Sequence, residues 1–213
     1  MATQSTGGLL AVWTDIAPEA EAEAEFNEWY NKEHIPQLLG VPGFLTGRRY
    51  QAVEGNPRYI ALYELSDVNV LKSDAFRQVR EMPTEWTKKM RPLFRNTTVA
   101  AYEQIFAHGT KPAQPAEFVL TVRLNTPSDK EKEFNDWYNI DHVPALVGVP
   151  GVYCAARYCS VDSDPKYLAV YEMNDGGIRN TPAWDKARNS DWTIRMRPYL
   201  KDLQAVTARR IFP

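Results

Sequence analysis

Residues 25–65 read EFNEWYNKEHIPQLLGVPGFLTGRRYQAVEGNPRYIALYEL, and residues 133–173 read EFNDWYNIDHVPALVGVPGVYCAARYCSVDSDPKYLAVYEM. The two stretches align without a gap, and 21 of their 41 positions are identical. A shorter match follows downstream, EWTKKMRPLF at 85–94 against DWTIRMRPYL at 191–200. A fixed internal period marks a chain assembled from similar units. It divides the 213 residues into a first unit at 1–107, a polar, Pro-containing linker at 108–116 and a second unit at 117–213. Each unit has the roughly 100 residues that a small sheet with covering helices requires.

Within each unit the pattern alternates between strand and helix. A β-type run opens it, LLAVWTDI (9–16) or EFVLTVRL (117–124), followed by Pro18 or Pro127. An acidic, helix-favouring segment leads into FNEWYN or FNDWYN, where Phe26, Trp29 and Tyr30 stand at i, i+3 and i+4 and form an apolar stripe. Ser128 precedes Glu131 by three, the spacing of a capping box. The residue before a proline is pushed out of the α region, so the helix should end near Ile35 or Val143. That places His34 and His142 at a helix C-terminus. The turn GVPG then feeds a hairpin, the repeated EWTKKMRPLF region reads as a second helix, and a last β-run closes the unit. The order is β-α-β-β-α-β, and the expected fold is α+β: two tandem ferredoxin-like units whose bare sheet faces cover each other in an intrachain α/β barrel. Such a barrel can hold one small ligand between its sheets.

Composition removes several classes of function. A formal net charge of −2 gives no basic footprint for nucleic acid. No run reaches 18 uncharged apolar residues, and MATQSTGGLL lacks the charged start and apolar stretch of a secretory signal, so a cytoplasmic location without membrane association is expected. Cys154 and Cys159, five apart on a strand, point to opposite faces and should not pair with each other. Phosphate loops, dinucleotide fingerprints and HExxH or CxxC metal spacings do not occur, so the expectation is no cofactor and no metal.

The element order, the repetition and the motif W-Y-N-x-[ED]-H-[IV]-P followed by G-V-P-G resemble the dimeric α/β-barrel proteins, specifically the EthD-like group. The likeness covers almost the whole chain, once per unit. It implies that His34 and His142 match the recurrent helix-end histidine that some relatives use in catalysis. Relatives include cofactor-free cyclases, quinone-forming monooxygenases, lactone isomerases and haem-dependent enzymes.

The remaining candidates come from this sequence alone. His34 and His142 can serve as general acid or base, or can simply satisfy a helix terminus. Tyr30 and Tyr138, four residues earlier, share a helical face with them and are expected to orient substrate, stabilise an oxyanion or fill the core. Glu33 and Asp141 are adjacent to the histidines in sequence and so do not face them. Arg49 and Arg157 bind substrate if they face the barrel interior and pair with a surface acid such as Glu64 if they face out; Tyr63 and Tyr171 are expected near them as substrate-binding partners. Arg48, Leu45 and Thr46 become Ala156, Tyr153 and Cys154 in the second unit, so a pocket they line cannot be symmetric. The function expected is a cofactor-independent lyase, isomerase or cyclase acting on a small hydrophobic, aromatic or polyketide-like substrate. The alternatives are a non-catalytic binding barrel and a haem- or oxygen-using relative; a homodimer is left open.

Overall fold

The computed structural model describes residues 7–213; the first six residues, part of the segment read above for a leader, lie outside them. The strands are β1 (Gly8–Ile16), β2 (Phe44–Glu54), β3 (Tyr59–Leu65), β4 (Phe94–Gly109), β5 (Phe118–Asn125), β6 (Val152–Ser160), β7 (Tyr167–Met173) and β8 (Lys201–Phe212). They close into an antiparallel barrel in the order β1-β3-β2-β8-β5-β7-β6-β4. Split between β2 and β8 and between β4 and β6, the ring yields two four-stranded sheets of matching order, β4-β1-β3-β2 and β8-β5-β7-β6. Closure removes the exposed edges that either sheet would present alone. β4 enters the segment read as a linker, pairing His108 with Ala155 and Gly109 with Cys154.

Both faces of this sheet are buried. Leu9, Ala11, Trp13, Tyr50, Ile60 and Leu62 point into the lumen, where they meet Val119, Tyr158, Leu168 and Val170 from the other half. Leu10, Val12, Ala61 and Tyr63 point outward beneath Phe26, Trp29, Tyr30 and Ile35. Leu120, Ala169 and Tyr171 do the same beneath Phe134, Trp137 and Tyr138. A strand covered on both sides carries apolar residues almost continuously, as YIALYEL and YLAVYEM do.

The helices lie outside the barrel: α1 (Ala20–Trp29), α2 (Ile35–Leu39), α3 (Asp74–Glu81), α4 (Glu85–Met90), α5 (Glu131–Trp137), α6 (Val143–Val147), α7 (Pro182–Ala187) and α8 (Asp191–Met196). Among the described residues no helix is long and apolar enough to cross a membrane. Two local expectations are corrected. The first helix does not stop before Pro36. α1 passes through a wide π turn, Tyr30–His34, directly into α2, and Ile35 keeps helical angles of φ −64 and ψ −49. The π turn inserts one residue, so the Ile35 N–H reaches back five residues to the Tyr30 carbonyl. Pro36 then sits in the opening turn of α2, where a missing N–H and a fixed φ are tolerated. α5 and α6 are joined identically through Tyr138–His142. Second, Ser128 opens a short 3₁₀ turn, and neither that turn nor α5 has a side-chain cap, so the capping box does not form.

Candidate functional site

The π turn decides what His34 touches. Five residues along an α-helix rotate a side chain by roughly 140° away from the first, whereas in a wider turn they nearly eclipse. His34 therefore stacks on Trp29, five residues earlier, with ring centroids 4.6 Å apart and planes 20° from parallel. Tyr30 meets the same imidazole edge-on at 5.0 Å. His142 repeats both contacts, at 4.5 Å from Trp137 and 5.1 Å from Tyr138. The stacking partner is itself pinned, since Trp29 Nε1 donates to Glu33 Oε1 at 3.0 Å and to Thr87 Oγ1 at 3.2 Å. Glu33 also accepts from Thr84 and Thr87, tying the helix to α4. In the second half Trp137 donates to Thr193, and Ser190 donates to Asp141.

Arg49 takes neither of the two orientations foreseen for it. It points away from the lumen yet is only 1% exposed, lying between the sheet and the helix. Its guanidinium donates to Asn31 Oδ1 at 2.9 Å and to Asn27 Oδ1 at 2.7 Å, and its Cζ sits 4.4 Å from the Tyr30 ring centroid. Arg157 is likewise 1% exposed, donates to Asn139 at 2.6 Å and Asn135 at 2.8 Å, and lies 4.2 Å from the Tyr138 ring. The titratable groups packed against Arg49 are the phenols of Tyr30, Tyr63 and Tyr59 rather than a carboxylate, and burial lowers its pKa. Each half thus stores a buried cation held by amide oxygens and aromatic faces. Burying a charge without a counter-ion is costly unless it is hydrogen-bonded, and in each half two asparagine oxygens accept from the guanidinium while aromatic faces cover it.

These residues surround two separate clefts between helix and barrel wall. The first, of about 300 Å³, is lined by His34, Tyr30 and Tyr63 together with apolar Leu10, Phe76 and Phe94. The second, of about 210 Å³, is lined by His142, Tyr138 and Tyr171 with Leu120, Trp184 and Arg197. The histidines consequently do not share one cavity between the sheets. Burial, with Arg91 and Arg49 adding to it, lowers the His34 pKa to about 4. Burial, Arg157 and Arg197 lower His142 to about 3. Both imidazoles are neutral at pH 7, and the buried Nδ1 of His142 has no hydrogen-bond partner. Tyr30 and Tyr63 are pushed up chiefly by burial, so both phenols remain protonated donors. The Tyr63 hydroxyl lacks a partner within hydrogen-bond geometry, although it lies near enough to Tyr30 for each phenol to alter the other's acidity. Tyr171 is equally unpartnered beside Tyr138.

The eight residues singled out in the sequence therefore fall into two sets of four: His34, Tyr30, Tyr63 and Arg49; and His142, Tyr138, Tyr171 and Arg157. Sequence reasoning missed the asparagines that hold the arginines. The available signal was that Asn27, Asn31, Asn135 and Asn139 are among the identical positions of the internal repeat. Arg91 and Arg197, not singled out above, also line the two clefts, each donating to a backbone carbonyl. Cys154 and Cys159 are both free, as expected.

No family model matches the chain, and no curated protein does. Solved structures match at the level of fold. An anthrone oxidase-like protein superposes with a TM-score of 0.68 at 13% identity, over 98% of this chain and 92% of that one. A proposed monooxygenase from Fusobacterium nucleatum gives 0.65 at 11% identity, over 98% and 94%. A chlorite dismutase variant from Candidatus Nitrospira defluvii gives 0.62 at 9% identity, over 97% and 92%. At these identities the likeness is one of fold alone, a closed eight-stranded barrel with helices outside it.

Each cleft offers one neutral histidine, whose ring already lies against an indole pinned by Thr87 or Thr193. At about 300 and 210 Å³ the clefts stand at or below the lower end of the roughly 300–1,000 Å³ typical for drug-sized ligands. Among the described residues no group of three or more His, Cys, Asp and Glu is placed to hold a metal ion.

Proposed function

We propose that this chain is an EthD-like dimeric α/β barrel made of two fused ferredoxin-like units, 1–107 and 117–213 joined by 108–116, and that each unit carries a proton-transfer site for a small hydrophobic aromatic or polyketide-like molecule. The observation that supports this most directly is the assembly, in both clefts, of a neutral imidazole, two protonated phenols and a buried cation behind them. The imidazole accepts a proton from an acidic carbon or phenol of the substrate. Tyr30 and Tyr63 then donate hydrogen bonds to the oxygen on which negative charge develops. Arg49 acts through Tyr30 as a positioning and electrostatic residue, because its charge lies against that ring and favours an anion above it. His142, Tyr138, Tyr171 and Arg157 play the same parts in the second unit. A base of such low pKa works when proton transfer leaves an imidazolium beside the new anion, since that ion pair offsets the cost of charging the ring. Collapse of the resulting enolate within the substrate is the chemistry of a lyase, isomerase or cyclase.

A second reading rests on the neighbours, one anthrone oxidase-like and one a proposed monooxygenase. Here the same deprotonation yields a carbanion that reacts with dioxygen. One O₂ converts a ring CH₂ to C=O: one of its atoms becomes the carbonyl oxygen and the other leaves as water with the two hydrogens, so the atoms and electrons balance without a bound redox group. A hydroxylated anthrone incubated with the protein in an oxygen electrode separates the two. Oxygen uptake with the quinone spectrum supports the oxygen-using reading; turnover of an enolisable ketone without oxygen uptake supports the first. Survival of either turnover in the double variant His34→Gln, His142→Gln would overturn the acid–base assignment.

A further inference from the structure

The lumen of the barrel contains a cavity of about 270 Å³ that the clefts do not reach. It opens at the end of the barrel where Lys111 follows β4, and its walls combine equivalent residues of both halves. Tyr50 and Tyr158, Leu62 and Val170, and Glu64 and Glu172 all line it. The paired glutamates are not in equivalent environments. Glu64 accepts from Lys111, and Arg48 lies 3.5 Å from the same oxygen, which together hold its carboxyl below the ordinary range despite burial. Glu172 has no ion-pair partner among the described residues, and burial raises its pKa against the opposing pull of Lys111 and Arg48, with Glu64 adding to the rise. The asymmetry originates in Lys111, which hydrogen-bonds Glu64 and not Glu172, and in one unmatched strand position, where Arg48 occupies the place taken by Ala156 in the second half. Arg48 also has donors to spare, since its single contact with Glu64 is long.

From this geometry we infer that the lumen mouth is a second small-molecule site, for a compact zwitterion of the amino-acid type, with Glu172 receiving the ammonium and Arg48, assisted by Lys111, the carboxylate. Several features make this ligand chemistry the complementary one. With both glutamates ionised, the two acids and two bases sum to no net charge, so a cation alone meets Arg48 and Lys111 and an anion alone meets Glu64. Tyr50 and Tyr158 present aromatic walls, over which an ammonium is favourably placed. Burial pushes both phenols up, so they stay protonated and can donate to a carboxylate. A volume of about 270 Å³ is ample for a few carbons between two charged ends. His108, exposed beside Gly109, and the buried Cys154 complete the titratable groups at this mouth.

Glycine, β-alanine and 4-aminobutyrate, titrated into the full chain and followed by heteronuclear NMR, test the inference, with butylamine and butyrate as the single-charge controls. At least one zwitterion should bind with a Kd near or below about 1 mM, about −4 kcal/mol, at least tenfold tighter than either control. Glu172→Gln and Arg48→Ala should each weaken it tenfold or more. Arg48→Ala installs the residue the second half carries at the equivalent place, so the fold should accommodate it, and an unchanged thermal midpoint checks this. Absence of binding by all three zwitterions at about 10 mM overturns the inference. So does equal affinity for butylamine, or binding indifferent to both variants. Loss of binding in His34→Gln with retention in Glu172→Gln would place the ligand in a cleft and likewise overturn it.

Discussion

Acidification should destabilise this protein through its two cleft histidines, and the size of the effect follows from their surroundings. An unfolded histidine takes up its proton near pH 6.5, whereas His34 does so at about 4 and His142 at about 3 in the folded chain. Between those limits the unfolded state binds more protons, so stability falls as pH falls. About pH 5 lies roughly 1.5 units below the unfolded histidine pKa while both folded imidazoles are still largely neutral, and at about 1.4 kcal/mol per unit this is about 2 kcal/mol apiece. Each ring is half-buried in an open cleft, so the solvent on that side reduces the pair's contribution to about 2–4 kcal/mol. The loss attributable to His34 should stop near pH 4, and that of His142 near pH 3. Urea unfolding of the native chain and of His34→Gln, His142→Gln, at about pH 7 and about pH 5, isolates the effect. Glu172, whose raised pKa acts in the opposite direction, is common to both proteins and cancels in the difference. The stability advantage of the native chain should shrink by about 2–4 kcal/mol on acidification. A gap that stays constant across that interval would show that the imidazoles are not held neutral by burial, and the reasoning about the clefts would fail with it.

Other outcomes depend on particular contacts. Tyr63→Phe removes a buried hydroxyl that has no partner, so urea unfolding should show unchanged or slightly higher stability, by up to about 1 kcal/mol. The same variant should lower turnover, because the hydroxyl's use is to meet an anion. Arg49→Met strips the donors from Asn27 and Asn31 and should cost about 1–3 kcal/mol, read as a lower thermal midpoint. Arg49→Lys should recover only part of this, because one ammonium cannot reproduce the forked contact with two amides. Glu33→Ala leaves Trp29 Nε1 with one partner fewer and frees α4, costing about 1–3 kcal/mol in chemical denaturation. Trp29 fluorescence in that variant should report a more mobile indole beside His34.

The internal repeat was legible because identity at a fixed offset needs no structure to be seen, and it yielded the order of elements and the two sets of four candidate residues. It also carried information that single-residue reasoning passed over. Asn27 and Asn31 were as fully repeated as His34, but an asparagine on a helix reads as a solvated residue until an arginine arrives from another strand. Pro36 misled in the opposite direction. Local sterics ended the helix there, whereas a one-residue wide turn absorbed the proline and rotated His34 from the side of Tyr30 onto Trp29.

Sequence by itself determined the strand–helix order, the burial of Phe26, Trp29 and Tyr30, and the matched positions of the histidines, because these depend on periodicities along the chain. Which face of β2 and β3 is the lumen was decided only by tertiary structure. Both faces of those strands are covered, one by helices and one by the opposite sheet, so their near-continuous apolar pattern carries no sign of direction. Closure of the ring supplied that sign. It turned Arg49 toward the helix and Arg48 toward the lumen, and it put the two histidines in separate clefts while bringing Glu64 and Glu172, 108 residues apart, to a single mouth.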